Sequence, residues 1–167
     1  MRRAIQVLLS VLLVVGIAYL LNLTTLRMPV SDRLSEDERN EVLDLSVRYK
    51  LYVNPNAIAI SLDECSEAAP VDVLRALLQT AEALQDREYA RVELYSGYTH
   101  KFTLGGDYFQ QLGEEYDYQN PVYTARTLPE KVRKPDGTRA YHSLGGGLSG
   151  LSDQMENFSQ FTFDWCE

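Results

Sequence analysis

From Ala4 to Leu26 the chain runs 23 residues without a charged side chain, AIQVLLSVLLVVGIAYLLNLTTL. As a helix such a run rises about 35 Å, more than the roughly 30 Å of hydrocarbon in a bilayer. A secretory signal would carry a shorter apolar region, about 7 to 15 residues, closed by a small-x-small cleavage site. Ala18-Tyr19-Leu20 and the polar stretch from Asn22 to Thr25 offer no such pair. A buried core helix is seldom this long without a charge. The expectation is an uncleaved anchor over residues 1–27 that meets the lipid bilayer through residues 4–26.

Orientation follows from the flanks. Arg2, Arg3 and the terminal amine precede the run, and an acidic stretch from Asp32 to Glu38 follows it. The tight basic cluster is expected to stay in the cytoplasm, placing the remainder outside the cell membrane, or outside the inner membrane if the source is bacterial. Residues 1–27 hold three arginines and no acid, so the formal charge of −8 for the whole chain becomes −11 for residues 28–167. A domain of that charge repels nucleic acid and anionic surfaces as a whole, which argues against DNA or RNA as partner. Its only two cysteines, Cys65 and Cys166, both fall in the part placed outside and are expected to form a disulfide.

The expected organisation is the anchor, a juxtamembrane helix and linker over residues 28–56, and an extracytoplasmic domain over residues 57–167. Met28-Pro29-Val30 reads as a helix break, because proline lacks an amide hydrogen and disfavours helix before it. Ser35 and Glu38 have capping-box spacing, so a helix is expected from 36 to about 48, although Leu43, Leu45, Val47, Tyr49, Leu51 and Val53 alternate as a strand would. Residues 57–62 read as a buried strand, Pro70 opens an amphipathic helix to about 84, and residues 91–95 form a second strand. A strand, helix and strand in that order imply parallel neighbours. Residues 100–104 should pair antiparallel with the second strand through a hairpin at Gly97-Tyr98. A helix over 107–117, a fourth strand over 122–128 and a terminal helix over 151–165 complete the prediction. The fold class is α/β or α+β: a single transmembrane helix followed by a small mixed sheet of about four strands packed with helices. Leu151, Met155, Phe158, Thr162 and Trp165 share one face of the terminal helix, which is expected to pack as core rather than to dock a partner.

No motif for chemistry is strong. His100 and His142 lack metal-ligand spacing, and zinc needs three or four N or S ligands. Ser149 sits in Gly147-Leu148-Ser149-Gly150-Leu151, which misses the last glycine of a nucleophile elbow. Asp107, Glu114, Glu115 and Asp117 lack the spacing of a calcium loop and read as a solvated helix face. No cofactor and no metal are expected. Two clusters are less ordinary. Arg126, Lys131, Arg133, Lys134 and Arg139 fall within fourteen positions, shortly before Gly146 and Gly147 lead into the last helix, and helix-start amides can hold an anion. Tyr108, Tyr116, Tyr118 and Tyr123 are dense enough to suggest an interface. The function expected is a non-enzymatic accessory or interaction subunit of an envelope membrane complex, partnered by another membrane protein. A binding module for a small anion or glycan is the alternative, and a hydrolase ranks third.

Overall fold

The computed structural model describes residues 2–142 and 147–167, the side chains of 147–149 excepted. Its first element is one unbroken helical rod, Arg2–Ser35, made of α1 (Arg2–Asn22), a π-helical turn (Leu23–Arg27) and α2 (Met28–Ser35). The expected break at Met28-Pro29-Val30 does not occur. Pro29 needs room at the preceding turn for its ring, and the widened turn, in which the Met28 N–H reaches back to Leu23 O, gives it. The side chains from Ile5 to Leu21 stay exposed, whereas Asn22, Leu26 and Val30 are buried against the rest of the protein.

A short 3-10 turn (Glu38–Val42) replaces the helix expected to 48, and β1 (Asp44–Lys50) follows. The Ser35/Glu38 spacing was the weaker signal and the alternation from Leu43 the stronger, because pairing with β2 (Asn54–Glu64) gives the alternating side chains a buried side. The turn is held by a buried amide network: Asn40 Nδ2 donates to Gln79 Oε1 at 2.6 Å, and Arg75 donates to Asn40 Oδ1 at 3.2 Å and to Arg39 O at 2.9 Å. Between β1 and β2 lies a three-residue loop, 51–53, in which both Leu51 (φ 53°) and Tyr52 (φ 63°) are left-handed. Turns of this kind favour Asn-Gly, and side chains with a Cβ cost about 1–2 kcal/mol per residue there.

α3 (Pro70–Ala83) starts on proline, and Asp72 Oδ2 accepts the Ala69 N–H at 2.9 Å. It carries the chain over to β3 (Arg91–Ser96), which pairs parallel with β2, and β4 (Thr99–Gly105) returns antiparallel through a turn in which Gly97 takes φ 53°. The sheet is mixed, in the order β1-β2-β3-β4, and the fold is α+β. α4 (Gly106–Glu114) opens against Tyr89, where a Cβ on Gly106 would overlap the Tyr89 carbonyl.

The strand expected over 122–128 is instead α5 (Pro121–Lys131). Asn120 Oδ1 accepts the Val122 N–H at 2.9 Å, Pro121 occupies the first helical position, and Thr124, Ala125 and Leu128 form the buried stripe. Start signals and burial at helical spacing outweigh the β preference of Val122, Tyr123 and Thr124. α6 (Gly147–Cys166) buries Phe158, Phe161, Thr162 and Trp165 as expected, while Leu151 and Met155 stay outside. Its end is tied down three ways: a Cys65–Cys166 disulfide with Cα atoms 5.9 Å apart, a Trp165 Nε1–H bond to Tyr95 O at 2.9 Å, and a Ser96 hydroxyl bond to Cys166 O at 3.1 Å.

One hydrophobic core results. Val47, Tyr49, Ile58, Ile60, Leu62, Val92, Leu94, Phe102 and Leu104 supply it from one side of the sheet, and α2, α3, α4, α5 and α6 cover it with Val30, Leu77, Phe109, Leu128 and Phe161. No strand residue of the opposite parity belongs to that cluster.

Candidate interaction surface

The other side of the sheet is built by the same strands in the alternate register. Arg48 stands opposite Ala59, Ala59 opposite Glu93, and Glu93 opposite Thr103; in the next row Ser46 meets Ser61, Ser61 meets Tyr95, and Tyr95 meets His100. Along the middle of this face β2 places Ala57, Ala59 and Ser61, a floor of small, buried residues, with Asp63 at its end.

Glu93 is the centre of this face and is only 2% exposed. Its Oε1 receives Lys50 Nζ at 2.5 Å and Arg91 Nε at 3.0 Å, and its Oε2 receives the Tyr95 hydroxyl at 3.0 Å. Burial alone would push this carboxyl up. The hydrogen bonds from Lys50 and Tyr95 and the charges of Lys50 and His100 outweigh it and hold Glu93 below the usual carboxylate range. Tyr95 moves the opposite way, raised by burial and by its bond to Glu93. The Tyr95 ring is stacked on His100 at 5.0 Å between centroids, with the Arg48 guanidinium 5.2 Å from the Tyr95 centroid. His100 Nε2 lies 2.9 Å from Phe102 O, which can only accept, so that nitrogen carries a proton. At the far end of the face Ser46 and Ser61 each donate to Asp63 at 2.9 Å.

A carboxylate with a lowered pKa and both oxygens engaged is a weak general base at neutral pH. What the face offers is a planar aromatic stack, guanidinium groups and a shallow floor. Arg48, Lys50 and Arg91 set against Asp63 and Glu93 make it basic by comparison with the domain that carries it.

The basic cluster predicted as an anion site is spread along a helix and the turn after it. Arg126 and Lys131 belong to α5; Arg133 and Arg139 face each other in a short bridge beside β4, with Lys134 at its turn. Arg126 Nε donates to Gln154 Oε1 at 2.9 Å, Lys131 Nζ lies 5.7 Å from the Tyr108 ring centroid, and Arg133 donates to Gly137 O at 3.2 Å. Gly147 begins α6, and Gly146 lies outside the described residues, as does the Ser149 side chain.

The four tyrosines divide. Tyr118 and Tyr123 are exposed. Tyr116 lies beneath the Arg33 guanidinium at 5.2 Å and accepts Gln79 Nε2 at 3.2 Å, and Tyr108, pushed up to about 12 by burial, packs in the groove beneath Lys131. Among the described residues no three His, Cys, Asp or Glu side chains converge to hold a metal ion.

The sequence pattern gives the strand over 91–95 and singles out His100, but not their sharing a face with Arg48 and Glu93. The signal is alternation within each strand, where 46, 48 and 50, 59 and 61, and 91, 93 and 95 lie between the apolar positions, and it is lost once residues 36–48 are taken as helix. Comparison of the sequence with protein-family models and with curated proteins, and of the fold with solved structures, finds no match.

Proposed function

We propose that this protein is a non-enzymatic, single-pass membrane subunit, with its N-terminus cytoplasmic and its domain outside, that engages the extracytoplasmic part of another protein of the same membrane through the open sheet face. The observation that carries this reading is the unbroken rod Arg2–Ser35, exposed and apolar to Leu21 and from there packed on the domain along one face through Asn22, Leu26 and Val30. A domain on a flexible leash samples all orientations. One whose core includes the continuation of its own span holds a fixed orientation to the bilayer.

The chain from Asn40 to Tyr49 runs back along the rod, since Asn40 bonds to Leu34 O at one end and Tyr49 bonds to Asn22 at the other, so β1 and the strands beside it run along the rod. The open face then looks sideways, toward neighbours in the membrane plane. Its excess of cations suits a partner that presents acidic and aromatic side chains. The Arg2-Arg3 head supports the orientation, and the disulfide supports an oxidising compartment for the domain. Arg126, Lys131 and Arg133 already have internal partners, which leaves the anion-binding and hydrolase readings with less support.

The test is affinity purification of the tagged full-length chain from its native membrane in mild detergent, beside an Arg48→Glu variant. A membrane protein retained by the wild type and lost from the variant is the expected result. Recovery of the wild type alone and monomeric would overturn the reading.

A further inference from the structure

The tip of the β1–β2 hairpin carries three consecutive apolar side chains that stand exposed: Leu51 is 75% exposed, Tyr52 54% and Val53 65%. Its place relative to the rod is fixed by one side chain. Asn22 Nδ2 donates to Tyr52 O at 2.8 Å, and Asn22 Oδ1 accepts the Tyr49 N–H at 2.8 Å. The Thr25 hydroxyl adds a 3.0 Å hydrogen bond with the Tyr49 hydroxyl. The hairpin tip is thus level with residue 22 of the helix.

That level has a physical meaning. The exposed apolar part of the rod, Ala4 to Leu21, has 18 residues and rises about 27 Å, close to the roughly 30 Å hydrocarbon thickness. With Arg2 and Arg3 at the cytoplasmic headgroups, the outer edge of the hydrocarbon falls within about a turn of Asn22. The hairpin tip therefore stands at the layer where tyrosine side chains, apolar in the ring and polar at the hydroxyl, are favoured. The Arg48 guanidinium lies 5.6 Å from the Tyr52 ring centroid, and Arg27 is exposed little more than one turn beyond Asn22, so cations flank the tip at headgroup height.

The residue choice points the same way. The turn holds two left-handed residues, a geometry that Asn-Gly would adopt without strain, yet the chain uses Leu51-Tyr52. The left-handed backbone costs the same in either solvent, but in water these side chains expose apolar surface, whereas at a bilayer that surface has an apolar solvent.

We propose that Leu51, Tyr52 and Val53 enter the interfacial layer of the bilayer that holds the N-terminal helix, a second membrane contact that fixes the rotation and tilt of the domain. The proposal rests on the reading of residues 4–21 as a span.

The experiment uses the full-length chain in phospholipid vesicles with tryptophan as the probe. Trp165, buried beside Tyr95 and next to the disulfide at the other end of β2, supplies the background. Leu51→Trp places a probe at the tip, Val53→Trp a second, and Leu13→Trp a control in the middle of the span. Lipids brominated at shallow acyl positions should remove roughly half of the added emission at 51 and 53, and deep bromines should remove less; the Leu13→Trp probe should show the reverse order. Quenching at 13 with none at 51 or 53 would overturn the hairpin contact and leave the span standing. No quenching at any of the three would overturn both. Deeper quenching at 51 than at 13 would overturn the interfacial placement.

Discussion

The two faces of the sheet are made by the same four strands, yet one is packed and the other is open. Ile58, Ile60, Val92 and Leu94 point into a continuous apolar core under five helical segments, while one residue along each strand Ala59, Ser61, Glu93 and Tyr95 stand on the other side, outside that core. The packed face contributes the stability. The open face keeps a buried carboxylate satisfied by three neighbours, an arrangement whose net contribution to folding is small because removing charges from water costs nearly what the pairing returns. The difference teaches that side chains on the open side can be changed with modest effect on the fold, which is what a recognition surface requires.

The sharpest way to break that comparison is to open the packed face. Phe161→Ala should destabilise the domain by about 3–5 kcal/mol, because Phe161 is fully buried between Phe102, Tyr141 and Trp165. Thermal unfolding of the detergent-solubilised chain measures it, and a shift of only a degree or two would mean that α6 is not a structural cover. Reducing the disulfide, or Cys166→Ser, should cost about 2–5 kcal/mol, the usual range for a native bridge in a small disulfide-bonded domain, read from denaturant midpoints with and without reductant.

On the open face the effects should be smaller. Glu93→Gln should cost about 1–3 kcal/mol, since Lys50 and Arg91 are partly exposed and can rehydrate when the charge is lost. Its pH signature is more telling. Glu93 is held below its ordinary value in the folded chain, so its contribution is complete at neutral pH and disappears as the pH falls below about 4. The variant should therefore show a flatter loss of stability than wild type between about pH 5 and pH 2, and identical slopes would break the assignment. Arg48→Glu should change stability by about 0.5 kcal/mol or less while abolishing partner retention. A large loss of stability there would make the open face structural after all.

How much of this was legible in the sequence differs by element. Residues 57–62, 70–84, 91–95 and 100–104 announce themselves because each has an apolar period of its own and a clean start or stop, and their pairing follows from the order of strand and helix. The uncharged run from Ala4 is equally plain. α5 was hidden because Val122-Tyr123-Thr124 prefer strands in isolation, and its helical stripe gains value only when α6 lies beside it. The continuity of the rod past Pro29 depends on the π-helical turn, a backbone adjustment no local pattern announces. β1 is legible by its alternation, against a Ser35/Glu38 spacing that is no cap: Ser35 ends α2 and donates to Asp32 O, and the short 3-10 turn takes its N-cap from Asp37. The open face went unseen for the same reason, since without β1 there is no Arg48 beside Ala59.

Asn22 has one further consequence. Because the domain grips the rod at that residue, the hydrocarbon length available to lipid is fixed at about 27 Å and cannot be extended by drawing more helix out of the domain. Most single-span proteins answer a thicker bilayer by standing more upright or by shifting along the membrane normal. This one can shift only by carrying its domain with it. As the proposed span, it would match bilayers near 27 Å and meet a cost that rises with each further ångström of hydrocarbon in thicker, sterol-rich ones, so membrane thickness itself would sort the protein among compartments.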